Sequence, residues 1–158
     1  MGGEVAQPGG SLMTPPDVPP VSVAMCDLSG MSWQAPSLAR EFTTQRLACW
    51  GLDDAVDDAR MIVSELTTNA VRHGGDGPLT VSLTAHAILP ALLLSVTDRG
   101  RPGGPLRALH PDEDAETGRG LAMVEALAAL WSWTHTGRTT TVWAVLPLSP
   151  LPADTRTA

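Results

Sequence analysis

The spacing of apolar residues changes twice along this chain, and each change limits the architecture. From Pro36 to Trp50, and again from Asp54 to about His73, apolar side chains recur with the helical period. Leu38, Phe42 and Leu47 lie on one side of the first stretch; Val56, Ala59, Val63, Leu66 and Ala70 form the stripe of the second. From Leu79 the period drops to that of a strand: Leu79, Val81 and Leu83 alternate with Thr80, Ser82 and Thr84. Ala91 to Asp98 reads as a second strand in which Leu92, Leu94 and Val96 share a face with Asp98. The helical period returns from Gly118 to about Trp131, with Leu121, Val124, Leu127 and Ala128 as its stripe. Two last strands, around Trp131 to Thr136 and Thr140 to Leu146, flank a turn at Gly137-Arg138. A weaker alternation of Val21, Val23 and Met25 predicts a short strand ahead of the first helix. This order predicts an α+β fold: a two-layer α/β sandwich with one mixed or antiparallel sheet, covered by helices on one face.

The stops and starts fit this reading. Pro36 suits a first helical turn and Gly51 a stop. Asp53 is expected to cap the second helix, and Asp54, Asp57 and Asp58 suit its positive start. Gly74-Gly75 ends it, and Asp76-Gly77-Pro78 turns the chain into the next strand. Residues 1–20 are rich in Gly and Pro and read as a disordered leader; residues 149–158 read as a flexible tail. The folded domain is expected over residues 21–148, one domain for a chain of 158 residues. Arg99 to Thr117 is a long irregular segment carrying Pro102 to Pro105, the kind of segment that serves as a lid or binding loop.

Charge excludes some functions. The net charge is −7, which repels phosphodiester backbones and argues against direct nucleic-acid binding. The basic residues are all arginine, so a P-loop, which needs a lysine, is excluded. Cys26 and Cys49 lack metal-ligand spacing and are expected as buried free thiols. No run approaches the ~18 apolar residues of a membrane span. The first residues lack the basic start of a secretion signal, so a cytoplasmic protein is expected.

Three features carry chemistry. Glu65 and Asn69 lie one helical turn apart, beside rather than on the apolar stripe, and His73 continues their line. An amide oxygen suits a hard cation, and a carboxylate can accept a proton from a water or hydroxyl. Asp98 ends a very apolar strand on its apolar face, where a carboxylate is costly without a partner. Gly118-Arg119-Gly120-Leu121 opens a helix after the long loop, where two glycines admit close approach and the helix start attracts anions. Alone, each has a plainer reading: a solvated helix face, the start of a turn, one of many glycine pairs.

Together, in this order, they resemble a known family. Ser64 to Gly75 (SELTTNAVRHGG) is similar to the N box of the GHKL ATPases. Val96 to Gly103 (VTDRGRPG) resembles their first glycine box, Glu116 to Ala128 (ETGRGLAMVEALA) their second, and Thr139 to Leu148 their closing strand. The likeness is greatest to the small anti-sigma-factor serine/threonine kinases of the RsbW and SpoIIAB kind. The resemblance implies a Bergerat-type fold that binds ATP with Mg2+. It implies Glu65 as general base and Asn69 as magnesium ligand. It places Asp98 on the adenine amine, with Gly100 letting the backbone pass the base. Gly118, Arg119, Gly120 and Leu121 would lie at the phosphates. Thr140 would support the adenine, with Thr139 and Thr141 as alternatives, and His73 would lie near the nucleotide.

The resemblance further implies a sigma factor and an anti-sigma-factor antagonist as partners, and relatives of this kind often form homodimers. Residues 1–35 are too few and too rich in proline for a phosphoacceptor-histidine helix, so a complete histidine kinase is not expected. Two functions stand side by side: a protein kinase acting on the antagonist, and an ATP-switched binding module with little or no phosphotransfer. A plain structural domain with an unused pocket is the third reading. Trp131, Trp133 and Trp143 alternate like strand residues and are read as sheet packing, with a partner surface as the alternative.

Overall fold

A computed structural model describes residues 21–74, 76–86, 89–100 and 115–149. The expected leader, residues 1–20, lies outside the described residues, as do most of the tail and residues 101–114 of the long loop. The chain order is β1 (Val21–Asp27), a 3-10 turn (Ser32–Gln34), α1 (Ala35–Cys49), a second 3-10 turn (Asp53–Ala55), α2 (Val56–Gly74), β2 (Leu79–His86), β3 (Ala91–Asp98), α3 (Ala115–Leu127), β4 (Leu130–Thr136) and β5 (Thr139–Pro147). The strands form one five-stranded sheet in the order β1-β2-β3-β5-β4. Every neighbouring pair is antiparallel, so of the two sheet types expected the antiparallel one is found.

The sheet is sided as its alternation requires. Leu83, Leu94 and Ala144 form one transverse row and Val81, Val96 and Val142 the next, all on the covered face. Leu83, Leu94, Ala144, Val81 and Val96 are fully or almost fully buried there. The other face carries Thr84, Leu93 and Val145 in one row and Ser82, Ser95 and Trp143 in the next, all half-buried. There Thr97 and Thr141 share a hydroxyl hydrogen bond of 2.8 Å. The two edge strands leave apolar side chains in water on this face: Val23 at 59% and Met25 at 66% exposure on β1, and Leu130 at 59% on β4.

The helices cover one face only. α2 lies over β3 and also touches α1 and α3. Its buried stripe is Ala59, Ile62, Val63, Leu66, Thr67 and Ala70, wider than the expected one by Ile62 and Thr67. Val56, expected in the stripe, is only half-buried. α1 packs on α2 through Ala35, Ala39, Thr43 and Leu47, spaced one turn apart so that small side chains meet the partner helix. Two threonines are buried among these apolar groups without leaving an unmet hydroxyl. Thr43 donates to the Ala39 carbonyl at 2.8 Å and Thr67 to the Val63 carbonyl at 2.6 Å. Arg40 of α1 donates to Ser64 Oγ of α2 at 2.8 Å, tying the helices at their polar margin.

Several sequence expectations shift. Asp53 is not an N-cap; it begins the 3-10 turn, and Leu52 before it makes no side-chain capping bond. Capping is replaced there by backbone closure, the Ala55 N–H donating to the Leu52 carbonyl at 3.1 Å. α3 starts three residues earlier than expected, at Ala115, and ends at Leu127, not near Trp131. Trp131 belongs to β4, opposite Ala144, because the Ala129 N–H is already held by the Val145 carbonyl. Both cysteines are free; Cys49 is exposed, off the buried stripe of α1, and Cys26 is half-buried against the core on the covered face of the edge strand β1.

The two faces of β3 predict unequal costs of truncation. Leu94→Ala should lose about 2–5 kcal/mol, as deletions in a packed core do. Leu93→Ala, one residue away on the open face, should lose less than half as much. Urea unfolding of both variants checks the assignment.

Candidate functional site

Glu65, Asn69 and His73 follow one another along α2, each half-buried and each one turn from the next. Their line runs beside the buried stripe, so α2 presents its core face to the sheet and this line at the margin. Arg72 and His73 occupy the last turn, where positive charge meets the negative helix end.

Glu65 is held against α3. A methyl group added to Gly120 would overlap Glu65 Oε2 and lie 2.9 Å from its carboxyl carbon. A side chain at this position fits only if the Glu65 carboxylate swings aside, so the glycine is what lets the carboxylate rest against α3. Gly120 itself is buried, and Leu121 beside it is half-buried. Gly118 and Arg119 precede them within α3. The contact of α2 with α3 thus brings the first turns of one helix onto the carboxylate of the other.

A second grouping lies across one end of the sheet. Asp98 of β3 is the register partner of Thr140 of β5, and Thr140 is the partner of His135 of β4. The row shares the covered face, continuing past Val96 and Val142. Thr140 is 4% exposed, and its hydroxyl lies 3.0 Å from His135 Nδ1. Gly100, just past β3, closes over this pair. A methyl group there would overlap Thr140 Oγ1 and lie 2.8 Å from His135 Nδ1. Of the three candidate threonines, only Thr140 shares Asp98's face. Thr139 is exposed and bonds the Thr136 carbonyl at 3.3 Å, while Thr141 points to the open face.

Burial pushes the Asp98 carboxyl up to about 6, with His135 pulling weakly in the other direction. An anion at this position is costly, and a hydrogen-bond donor would relieve the cost. Beside the row opens a cleft of ≈ 400 Å³ lined by Arg99, Gly100, His135, Gly137 and Arg138. Among the described residues no cluster of three or more His, Cys, Asp or Glu can hold a metal ion. A cation at Asn69 would share its coordination with ligand and water oxygens, which is how Mg2+ is commonly held. The glycine-lined approaches at Gly100 and Gly120 and the Glu65–Asn69 line fit a nucleotide with its magnesium ion.

His135 was not among the residues expected from sequence. Its place was nevertheless implied by the turn at Gly137-Arg138. A two-residue turn pairs Thr136 with Thr139 and hence His135 with Thr140. Gly137 adopts the positive φ of +60° that such a turn asks for.

Comparison with known proteins follows this geometry. A family profile described as "Histidine kinase-like ATPase domain" matches residues 34–146. The chain is similar to the crystal structure of the RsbU and RsbW domains of Rv1364c from Mycobacterium tuberculosis, with 26% identity and a TM-score of 0.60. That match covers 85% of this chain and 35% of the other, so this chain spans about a third of that protein's length. A histidine kinase domain from the blue-light activated histidine kinase EL346 of Erythrobacter litoralis is 29% identical over 59% of this chain and 46% of its own, with a TM-score of 0.47. No curated protein sequence matches the chain.

The raised Asp98 pKa has a measurable sign. The folded state binds this proton more tightly than the unfolded state, so stability falls as pH rises from about 4 to 6 and stays lowered above. Asp98→Asn should therefore unfold at a higher temperature than wild type near pH 8, with the gap closing as pH drops toward about 4. Thermal unfolding across that range, without nucleotide, checks it. Gly120→Ala should displace the Glu65 carboxylate, weakening function far more than it lowers the melting temperature.

Proposed function

The chain belongs to the family of histidine kinase-like ATPase domains, and from that premise we propose that it is a magnesium-ATP-dependent serine/threonine kinase that regulates a sigma factor. The observation that carries the reading is the seat of Glu65 against Gly120, with Asn69 one turn further along α2. It brings a carboxylate and an amide, one turn apart on α2, up to the second turn of α3, which supports this reading.

Asp98 would accept the exocyclic amine of adenine, and burial of its carboxyl makes that partner valuable. Gly100 and Thr140 would complete the base subsite. Gly118 through Leu121 lie in the first two turns of α3 and would sit beside the phosphates, with the positive end of the helix toward them. Arg119 would add positive charge there, and His73 would lie near the nucleotide. Asn69 would hold a magnesium ion through its amide oxygen; when bound, that ion supplies neutralisation of phosphate charge. Glu65 would take the proton of a serine or threonine hydroxyl as its oxygen receives the terminal phosphoryl group of ATP and ADP leaves.

The phosphorylated protein would be a small anti-sigma-factor antagonist. The sigma factor would be the second partner, bound when the antagonist is phosphorylated. The likeness to a structure that contains RsbU and RsbW domains supports this choice of partners. A homodimer is part of the same reading. No described helix is long and apolar enough to cross a membrane, in keeping with a cytoplasmic regulator.

Calorimetric titration and a transfer assay test the proposal. ATP should bind in a magnesium-dependent manner, and Asn69→Ala should weaken it by about tenfold or more, the loss of a charge-assisted contact. Radiolabel from ATP should appear on a serine or threonine of the antagonist, and Glu65→Ala should reduce transfer by about 100-fold or more. Tight ATP binding without transfer to any antagonist would leave only the ATP-switched binding module. No binding near millimolar nucleotide would remove both.

A further inference from the structure

We infer that His135 is a positioning residue of the nucleobase subsite: its Nδ1 fixes which way the Thr140 hydroxyl presents its proton, and so which base edge the Asp98–Thr140 pair accepts. The inference rests on the reading that Asp98 and Thr140 hold adenine.

Thr140 is almost fully buried, and its hydroxyl lies 3.0 Å from His135 Nδ1. A hydroxyl has one proton and two acceptor lone pairs. When Nδ1 carries a proton, the ring donates to Thr140, and the hydroxyl proton is released toward the space beside Asp98. When Nδ1 is bare, Thr140 donates to it and only lone pairs remain for a ligand. The ring therefore decides whether Thr140 is a donor or an acceptor.

Adenine offers a donor, its exocyclic amine, next to an acceptor, N1. An ionised Asp98 can only accept, so it takes the amine. The neighbouring N1 then needs a donor, which Thr140 supplies without competition when the proton sits on His135 Nδ1. A guanine edge presents the reverse pattern and would set its carbonyl oxygen against the carboxylate. Gly100 fixes the arrangement from above, since any side chain there would push into both Thr140 Oγ1 and the His135 ring. The strand itself does not require histidine at this position, which is exposed and has threonine on either side. A hydrogen-bonding role accounts for it.

The test compares ATP with 1-deaza-ATP, in which base N1 is replaced by C–H, by calorimetric titration. Wild type should prefer ATP by about tenfold, the value of one well-formed hydrogen bond. His135→Leu should lower that ratio, because nothing then biases the Thr140 hydroxyl toward donating to N1. His135→Asn, whose amide sits near the place of Nδ1, should restore most of the preference. If His135→Leu unfolds, His135→Phe keeps the bulk of the ring and serves for the same ratio. Equal losses for both nucleotides, or an unchanged ratio, would overturn the role of His135 while leaving adenine on Asp98. Failure of wild type to bind either nucleotide would instead remove the base subsite itself.

Discussion

The packing of α2 on β3 is the contact on which the rest of this molecule depends. Ile62, Val63 and Leu66 face inward from the helix, and Leu92, Leu94 and Val96 face inward from the strand. This pairing sets the rotation of α2 about its axis. With the stripe pinned, Glu65 and Asn69 fall at the margin and cannot turn toward the sheet. Each is held there by the burial of its neighbours, and a helix free to roll would carry the whole line away. The same strand that receives α2 ends in Asp98, so one hydrophobic interface fixes both groupings of the site.

At two points the candidate site runs against stability. Asp98 is buried enough to resist ionising, although the sheet would be better served by an apolar residue at the end of so apolar a strand. Gly120 sits in a helix, where alanine would be preferred by about 1 kcal/mol on propensity alone. Both violate a local rule, and both lie in the candidate site. Neighbouring positions without such a part, such as Val96 and Val124, follow the rules of burial without exception. This contrast is what a site built into a well-packed domain should leave behind.

Much of the fold was legible in the spacing of apolar residues. The alternation from Leu79 to Val96 gave both central strands and their buried face, because sheet sidedness is written in a period of two. Helix ends were less legible. Asp53 looked like a cap and is part of a 3-10 turn, since backbone bonds alone can satisfy a helix entry. The start of α3 was hidden because Ala115 and Glu116 carry no stop signal of their own. In the site, the positions of Glu65, Asn69 and Asp98 on their elements followed from periodicity. The contact of Glu65 with Gly120 did not, because it joins residues far apart in sequence across two helices. His135 was missed for another reason: its neighbour is fixed by strand register, which the hairpin turn determines but composition does not.

The row Asp98–Thr140–His135 is closed by two chain segments of very different length. His135 and Thr140 are five residues apart, joined by a tight hairpin. Such a loop costs little chain entropy to close and can form within about 1–10 μs. Asp98 meets Thr140 only after the chain has run through α3 and β4 and returned as β5. The histidine–threonine half is thus a local structure, and the carboxylate half a product of tertiary assembly. Fluctuations that part β5 from β3 would separate the carboxylate from the hydroxyl while leaving the hydroxyl with its histidine.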